Sequence, residues 1–251
     1  MPKRDWRVVV IVAAIVLVPA VWAGAALSAR TETQPAFSIE VTGRQWWWEV
    51  RYTSEEPSRV FTTANEIHIP VGQSIEVKLV SADVIHSFWV PALAGKTDLI
   101  PGQTNVMQLE ASRVGVFRGQ CAEFCGTQHA NMAFYVVASE PERFQAWWDK
   151  QLQGAPPPKS EEVKLGQNAF IQKCGLCHSV RGTRAGGIVG PDLSHLMQRR
   201  SIAAGTLPNN TGHLAAWIAD PQDPKPGNFM PRPDISAAEL QRILAYLQTL
   251  E

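Results

Sequence analysis

Residues 121–132 read CAEFCGTQHANM, and residues 174–178 read CGLCH. These two stretches contain all 4 cysteines of the chain. The second is the C-x-x-C-H pattern through which a haem is attached covalently, and the first places sulfur and imidazole donors as densely as a copper site requires. Two redox centres on one polypeptide indicate a protein that transfers electrons.

The composition is that of an ordinary globular chain with about two domains. Its 251 residues are 45% hydrophobic and 18% charged, and 23 basic side chains balance 23 acidic ones. A protein that neutralises phosphate groups carries a basic excess, so we expect no nucleic acid partner.

The N-terminal stretch predicts export across a membrane. Residues 8–27 are uncharged, and a run of this length can cross a bilayer once as a helix. Lys3, Arg4 and Arg7 precede it, so the positive-inside rule predicts a cytoplasmic N-terminus and periplasmic redox domains. A cleaved signal peptide is the alternative, and it exports the same domains. We therefore expect residues 1–35 to form a tail and one transmembrane helix in a bacterial inner membrane.

Beyond this segment apolar and polar residues alternate, a pattern typical of strands in a half-buried sheet. The predicted strands are residues 37–41, 66–70, 74–80, 105–110 and 133–138. The pattern predicts an all-β domain over residues 36–140, either a small sandwich or a barrel. We expect His86 on a loop after one strand and the donors of residues 121–132 on the loop before the last strand, so that all lie at one end of the domain.

After residue 140 the pattern becomes helical. Helices are predicted at residues 141–153, 161–174, 211–219 and 240–250. Residues 154–158 read GAPPP, which predicts a stiff linker. We therefore expect a helix and a proline-rich linker over residues 141–160, followed by a small all-α domain over residues 161–251.

The donors in residues 121–132 are Cys121, Cys125, His129 and Met132. Thiolate, imidazole and thioether groups together favour copper over calcium or magnesium, which prefer oxygen ligands. A disulfide between the two cysteines and a structural zinc site are the alternatives.

In residues 174–178, thioether bonds from Cys174 and Cys177 would hold a porphyrin, with His178 placed as an iron ligand. A redox dithiol is the alternative, but it requires no histidine and belongs with a βαβ pattern that this sequence lacks. Met197 and Met230 are the candidates for the sixth iron ligand. Met230 precedes the last helix on a loop that can fold over the haem, so we assign it to the iron.

The residues around these motifs resemble two known families. The chain resembles subunit II of the haem–copper cytochrome c oxidases at residues 43–48 (GRQWWW), 84–91 (VIHSFWVP), 96–102 (KTDLIPG) and 119–132 (GQCAEFCGTQHANM). Residues 161–251 resemble a class I cytochrome c. The first resemblance implies a cupredoxin-like Greek-key barrel that holds the dinuclear copper A centre, in which two thiolates bridge two copper ions.

The oxidase resemblance also implies the roles of individual residues. The implied copper A ligands are His86, Cys121, the main-chain carbonyl of Glu123, Cys125, His129 and Met132. The Glu123 carboxylate would reach a magnesium ion at the contact with subunit I, and Trp46 would lie on the electron path out of the copper. Trp46 also fits an interfacial aromatic belt beside a membrane helix. The cytochrome resemblance implies that the Pro191 carbonyl accepts a hydrogen bond from the ring N–H of His178.

Together the resemblances imply the fused subunit II of a cytochrome c oxidase, an oxidoreductase and translocase whose oxygen chemistry lies in a partner subunit. Electrons would pass from an external cytochrome or reductase through haem c and copper A, past Trp46, to subunit I, coupled to proton translocation. The expected partners are subunits I and III, the donor and membrane lipid. Most such subunits enter the membrane with two helices, whereas residues 1–35 offer a single one.

Other roles fit some of the same residues. A copper A subunit of a nitrogen-oxide reductase would carry the same two centres, because its substrate binds in another subunit. A membrane-anchored electron carrier without an oxidase partner is a further alternative. A copper-delivery or metal-sensing module would not need the haem.

Overall fold

The computed structural model describes residues 37–251, so the predicted tail and transmembrane helix at residues 1–35 lie outside the described residues. Between residues 37 and 251, no helix is both long enough and apolar enough to cross a membrane. The described chain consists of a strand-rich part followed by a smaller helical part.

Strands dominate the first part. They are β1 (Phe37–Arg44), β2 (Trp47–Ser54), β3 (Phe61–Ala64), β4 (Glu66–Pro70), β5 (Ile75–Ser81), β6 (His86–Val90), β7 (Ala94–Leu99), β8 (Asn105–Leu109), β9 (Gly115–Cys121) and β10 (Ala133–Ser139). They pair into two five-stranded sheets, in the orders β3-β2-β1-β5-β8 and β4-β10-β9-β6-β7. The pairs β1/β5 and β4/β10 are parallel, and the other neighbours are antiparallel. The described strands therefore form a two-sheet sandwich, which is one of the two architectures that the alternation in the sequence predicts.

In the sheet β3-β2-β1-β5-β8, alternate side chains along a strand point into the core. In β1, Ile39 and Val41 are fully buried, and Glu40 between them is partly exposed. Trp48 of β2 joins the two sheets, because its ring meets Phe88 and Phe134 of the other sheet edge-on, with centroids 5.9 and 5.2 Å apart. The core therefore lies between the sheets.

Four helices follow or accompany the sandwich in the described residues: α1 (Pro141–Gln151), α2 (Glu161–Lys173), α3 (Thr211–Ala219) and α4 (Ala237–Leu247). Helix α1 packs on the sandwich, because the Trp148 ring lies 4.9 Å from Phe37 and 5.3 Å from Tyr52. The sandwich and α1, residues 37–151, are called the β domain below. Residues 161–251 are called the helical region.

Helices α2 and α4 form the centre of the helical region. Ser160 caps α2 by accepting from the Val163 N–H, and α4 begins with a capping box between Ser236 and Glu239. The region was predicted to be all-helical, and this is wrong at one place. Residues 201–202 and 207–208 pair as two short strands, β11 and β12.

Close approach of α2 and α4 depends on a glycine. Phe170 of α2 and Tyr246 of α4 are both almost fully buried, with ring centroids 5.6 Å apart. A methyl group at Gly166 would overlap the main-chain carbonyl of Arg242 on α4. A larger residue at this position would therefore force the two helices apart.

We expect Gly166→Ala to lower the free energy of unfolding by about 1–3 kcal/mol, the usual effect of overpacking a close contact. Chemical denaturation of the purified chain, followed by far-ultraviolet circular dichroism, measures this. Gly212→Ala in α3 is the control, because its methyl group would meet only the Asn210 side-chain oxygen at 3.5 Å. Equal stability of Gly166→Ala and wild type would contradict the prediction.

Candidate metal centres

The predicted copper donors meet at one end of three neighbouring strands of the second sheet, β10, β9 and β6. His86 is the first residue of β6, Cys121 is the last of β9, and Met132 immediately precedes β10. Because β10, β9 and β6 are antiparallel neighbours, these three ends lie side by side. The prediction that His86 lies on a loop is wrong, since the residue is held by the ladder of β6 with β7.

The donor atoms form one compact group. Cys121 Sγ lies 3.7 Å from Cys125 Sγ, 3.9 Å from His86 Nδ1 and 3.2 Å from the Glu123 carbonyl oxygen, and Cys125 Sγ lies 3.6 Å from His129 Nδ1 and 3.8 Å from Met132 Sδ. Each sulfur thus has one imidazole nitrogen beside it. Both cysteines are free thiols, in contrast to the disulfide alternative.

The two thiols shift each other's pKa in opposite directions. Contact with Cys125 lowers the pKa of Cys121, which His86 lowers further, whereas the same contact raises the pKa of Cys125. Of the two, Cys121 is therefore the one that more readily becomes a thiolate. A soft metal cation would favour loss of the proton from both sulfurs. The residues present thus fit a copper site with two thiolate ligands.

Asp83 orients one of the imidazoles, a role that the sequence analysis missed. Its carboxylate accepts hydrogen bonds from His86 Nε2 and from the main-chain N–H of Gln45, both at 2.7 Å. Burial alone would lower the pKa of His86, but its hydrogen bonds to Asp83 and Cys121 raise the pKa overall. With Nε2 bound to a carboxylate, Nδ1 faces the sulfurs, which is how carboxylates orient histidine ligands of metals.

The carbonyl of Cys125 is held by two side chains from the turn between β1 and β2. Gln45 Nε2 donates to it at 2.7 Å and Trp46 Nε1 at 2.9 Å. The next residue, Gly126, has a φ of +112°, and a methyl group there would lie 3.0 Å from both side chains. Glycine at this position therefore permits the close approach of Trp46.

Trp46 also contacts the helical region. Its ring stacks on Phe229 with centroids 5.4 Å apart, and Phe229 is the neighbour of Met230. The sequence interpretation placed Trp46 on the way out of the copper site. In the structure its ring lies between the Cys125 carbonyl and the segment that carries Met230.

The Glu123 carboxylate is half-exposed and lies beside Lys96. One carboxylate oxygen lies 3.7 Å from Lys96 Nζ, and the side chain is 44% exposed. Within residues 37–251, the one cluster of three or more His, Cys, Asp or Glu donors is His86 with the two cysteines. A magnesium ion at Glu123 would therefore need ligands other than the His, Cys, Asp and Glu side chains of residues 37–251.

The C-x-x-C-H residues follow directly after α2. His178 Nδ1 donates to the Pro191 carbonyl at 2.8 Å, which leaves Nε2 available for a metal. Burial lowers the pKa of His178, so the ring is neutral as a ligand requires. Gly190 leaves room for the ring, because a methyl group there would lie 2.6 Å from it.

An exposed apolar surface adjoins these residues. Leu176, Ile188 and Val189 are 85%, 78% and 69% exposed. Main-chain hydrogen bonds of 3.0 and 2.8 Å hold residues 187–190 against residues 175–177. A patch of neighbouring large apolar side chains is rarely so exposed unless a ligand or a partner protein covers it. The surface therefore fits the apolar macrocycle of a haem.

The two candidates for the sixth iron ligand differ in their surroundings. Met197 packs against the hydrophobic cluster of the helical region. Met230 is half-buried on the loop between α3 and α4, where Gln222 Nε2 donates to its carbonyl at 3.0 Å. Of the two, Met197 is therefore the one that belongs to the hydrophobic packing of the helical region.

Two family models match the chain. The model described as Cytochrome C oxidase subunit II, periplasmic domain, matches residues 54–139. The model described as Cytochrome c matches residues 163–251. The donor cluster lies within the first range and the C-x-x-C-H motif within the second.

Several curated proteins are similar over most of the chain. Cytochrome c oxidase subunit 2 of Alkalihalophilus pseudofirmus is 39% identical over 98% of this chain and 72% of the relative. The subunit 2 proteins of Bacillus sp. PS3 and Bacillus subtilis are 32% and 31% identical, and the chain spans 62% and 64% of their lengths. Among solved structures, the periplasmic domain of subunit II of cytochrome oxidase from Bradyrhizobium japonicum is 34% identical, with a TM-score of 0.42, over 46% of this chain and 92% of that chain.

We expect Gly43→Ala to weaken copper binding about tenfold to a hundredfold, the usual effect of disturbing the orientation of a metal ligand. A methyl group at Gly43 would lie 2.7 Å from His86 Cδ2, so the imidazole would have to move. Competition with a chromophoric copper chelator measures the affinity. Gly95→Ala in β7 is the control, because nothing lies within 4 Å of its added methyl group. Unchanged affinity in Gly43→Ala would contradict the prediction.

Proposed function

This chain belongs to the cytochrome c oxidase subunit II family, and from that membership we propose that it is the subunit through which electrons enter a haem–copper oxidase. The observation that carries the proposal is the convergence of thiolate, imidazole and thioether donors beside a region that contains a C-x-x-C-H motif. When bound, copper A and haem c would each accept and release one electron at a time. Reduction of oxygen, coupled to proton translocation, would occur in subunit I.

The chain's own residues would hold both groups. We assign copper A to His86, Cys121, the Glu123 carbonyl, Cys125, His129 and Met132, and haem c to Cys174, Cys177, His178 and Met230, with Pro191 orienting His178. The copper donors are mostly buried, and the strands that carry them are part of one sheet. A rigid, dry site supports electron transfer because its donors do not have to move when the charge changes.

We assign Trp46 to the path between the haem and the copper site. Its indole N–H is bonded to the carbonyl of Cys125, a proposed bridging ligand, and its ring is stacked on Phe229, the neighbour of Met230. Trp46 thus contacts a residue of the proposed copper site and a neighbour of the proposed haem ligand Met230. The role of Trp46 on the way out of the copper site stays a prediction beside this assignment.

The two parts of the chain are docked as well as tethered. Hydrogen bonds between them run from Gln128 Nε2 to the Pro226 carbonyl (2.6 Å), from the Ala133 N–H to the Ala204 carbonyl (2.9 Å), from the Arg200 N–H to the Glu66 carboxylate (3.0 Å), and from Arg181 to the Val60 carbonyl (3.2 Å). A tether alone would provide an effective concentration of about mM order. Docking goes further, because the acceptor site already lies beside the donor region.

The remaining parts of the proposal concern the surroundings. Residues 1–35 would anchor the chain in a bacterial inner membrane, with the described parts in the periplasm. Subunits I and III, membrane lipid and an external cytochrome or reductase would be its partners. The exposed Glu123 carboxylate would supply one ligand to a magnesium ion at the contact with subunit I.

Purification of the complex from membranes tests the assignment of the two centres. We expect Cys174→Ala/Cys177→Ala to abolish the covalent haem stain and to leave the copper content unchanged. Cys121→Ala/Cys125→Ala should have the opposite effect, so each double variant is the control for the other. Both should lower donor-dependent oxygen uptake of a complex that contains subunit I. Co-purification with a nitrogen-oxide reductase, or with no partner, would contradict the proposed function.

The rate of electron transfer from haem to copper should depend little on salt. Raising the ionic strength from about 0.01 to 1 M shortens the Debye length from about 30 to 3 Å and slows encounters that charge attraction steers. Here the two parts are already joined by buried and partly buried hydrogen bonds, many of them to uncharged carbonyl groups. Flash reduction of the haem at each ionic strength measures the rate, and strong slowing at high salt would overturn the prediction.

A further inference from the structure

Lys225 is a buried cation at the contact between the β domain and the helical region. The residue is 3% exposed, and its ammonium donates to the carbonyls of Trp46 at 2.8 Å, Asn131 at 2.7 Å and Ala203 at 3.0 Å. An ammonium has three N–H donors, so these carbonyls use all of them. The ion pairs formed among residues 37–251 do not include Lys225. Among the groups that Lys225 hydrogen-bonds, carbonyl dipoles therefore offset its charge.

Two of the acceptors lie next to proposed copper ligands. The first, Trp46, donates its indole N–H to the Cys125 carbonyl at 2.9 Å. The second, Asn131, immediately precedes Met132. Lys225 thus reaches two sides of the copper site through one intervening residue each, without contacting a ligand atom itself.

Lys225 also lies on the loop that carries Met230. The Asn228 side chain donates to the Lys225 carbonyl at 2.7 Å and accepts from the Met230 N–H at 2.8 Å, so the loop is braced internally. Between them, Phe229 stacks on Trp46. A displacement of Lys225 would therefore move Phe229 and Met230 together.

The chemistry of the lysine favours a positioning role over simple packing. Removing an ammonium from water is costly unless all its donors are bonded, and burial lowers the pKa of Lys225 to about 7. An apolar side chain of the same length would fill the space without that cost. It would, however, provide no directional bonds, whereas three bonded carbonyls define one arrangement of the groups around the nitrogen.

We propose that Lys225 is a positioning residue for electron transfer, which fixes the Met230 loop against Trp46 and so sets the separation of the two centres. The inference rests on the proposed function, because it takes the haem and copper A to be where we assign them. It adds a residue that binds neither group.

The test compares the intact complex carrying Lys225→Met with wild type and with Lys164→Met. Lys164 is the control, because it lies on α2 with a side chain that is 60% exposed. After flash reduction of the haem, we expect electron transfer to copper to be about tenfold to a hundredfold slower in Lys225→Met, since small displacements away from a reacting centre have effects of this size. Lys164→Met should transfer electrons at the wild-type rate. The haem absorption spectrum and the copper EPR signal should be unchanged in both variants.

A second measurement does not require either metal centre to function. Hydrogen–deuterium exchange of the full chain before copper is added should be faster in Lys225→Met over residues 128–133 and 222–230. The first range includes the Ala133 N–H, which donates to the Ala204 carbonyl across the contact. Lys225→Gln, which is neutral but keeps two N–H groups, should lie between wild type and Lys225→Met in both measurements.

The outcomes separate this inference from the proposed function. A wild-type transfer rate or wild-type exchange in Lys225→Met overturns the inference alone, and so does loss of the copper signal, which would make the lysine part of the copper site. If Lys225→Met does not fold, Lys225→Gln decides by the same criteria. No haem-to-copper transfer in the wild-type complex would overturn the proposed function itself.

Discussion

The carbonyl oxygen of Cys125 accepts hydrogen bonds from the side chains of Gln45 and Trp46, and the arrangement of both proposed centres depends on it. These bonds join the turn between β1 and β2 to the loop that carries the two thiols. Because Trp46 is held there, its ring faces Phe229 and the loop of Met230. One polar atom of a proposed copper ligand thus connects the metal loop to the surface that meets the helical region. In a buried, low-dielectric setting such bonds are strong and leave little freedom to the groups they join.

Contact between the β domain and the helical region is made largely by main-chain polar groups. None of the ion pairs among residues 37–251 joins the two parts. The cations at this contact are bonded to carbonyl and hydroxyl oxygens instead: Lys225 to three carbonyls, and Arg199 to the Thr63 hydroxyl. Main-chain atoms are positioned by the fold itself, whereas long charged side chains are mobile and screened by salt. A contact of this kind suits electron transfer, which requires a fixed separation.

The alternation of apolar and polar residues predicted β1, β4, β5, β8 and β10, whereas β2, β3, β6, β7 and β9 were missed. All five predicted strands are present in the structure, because alternation is the direct consequence of one covered and one exposed face. β6 reads HSFWV with four of its five residues buried, so it shows no alternation. For that reason His86 was placed on a loop. Helix α1 was predicted as a helix, but its packing against Phe37 and Tyr52 follows from contacts between distant segments.

The sequence by itself determined which donors this protein has and how they are grouped. The four copper donors of residues 121–132 lie close together along the chain, and so do the three haem-binding residues of 174–178. Short separations along a chain limit how far apart side chains can be. Only the tertiary structure decided which distant groups complete the sites. The order β10-β9-β6 brings His86 to Cys121, and docking of the helical region brings Lys225 to Trp46, 179 positions away. Contacts at such separations are set by sheet order and by the packing of one domain on another, for which the local pattern of residues carries no signal.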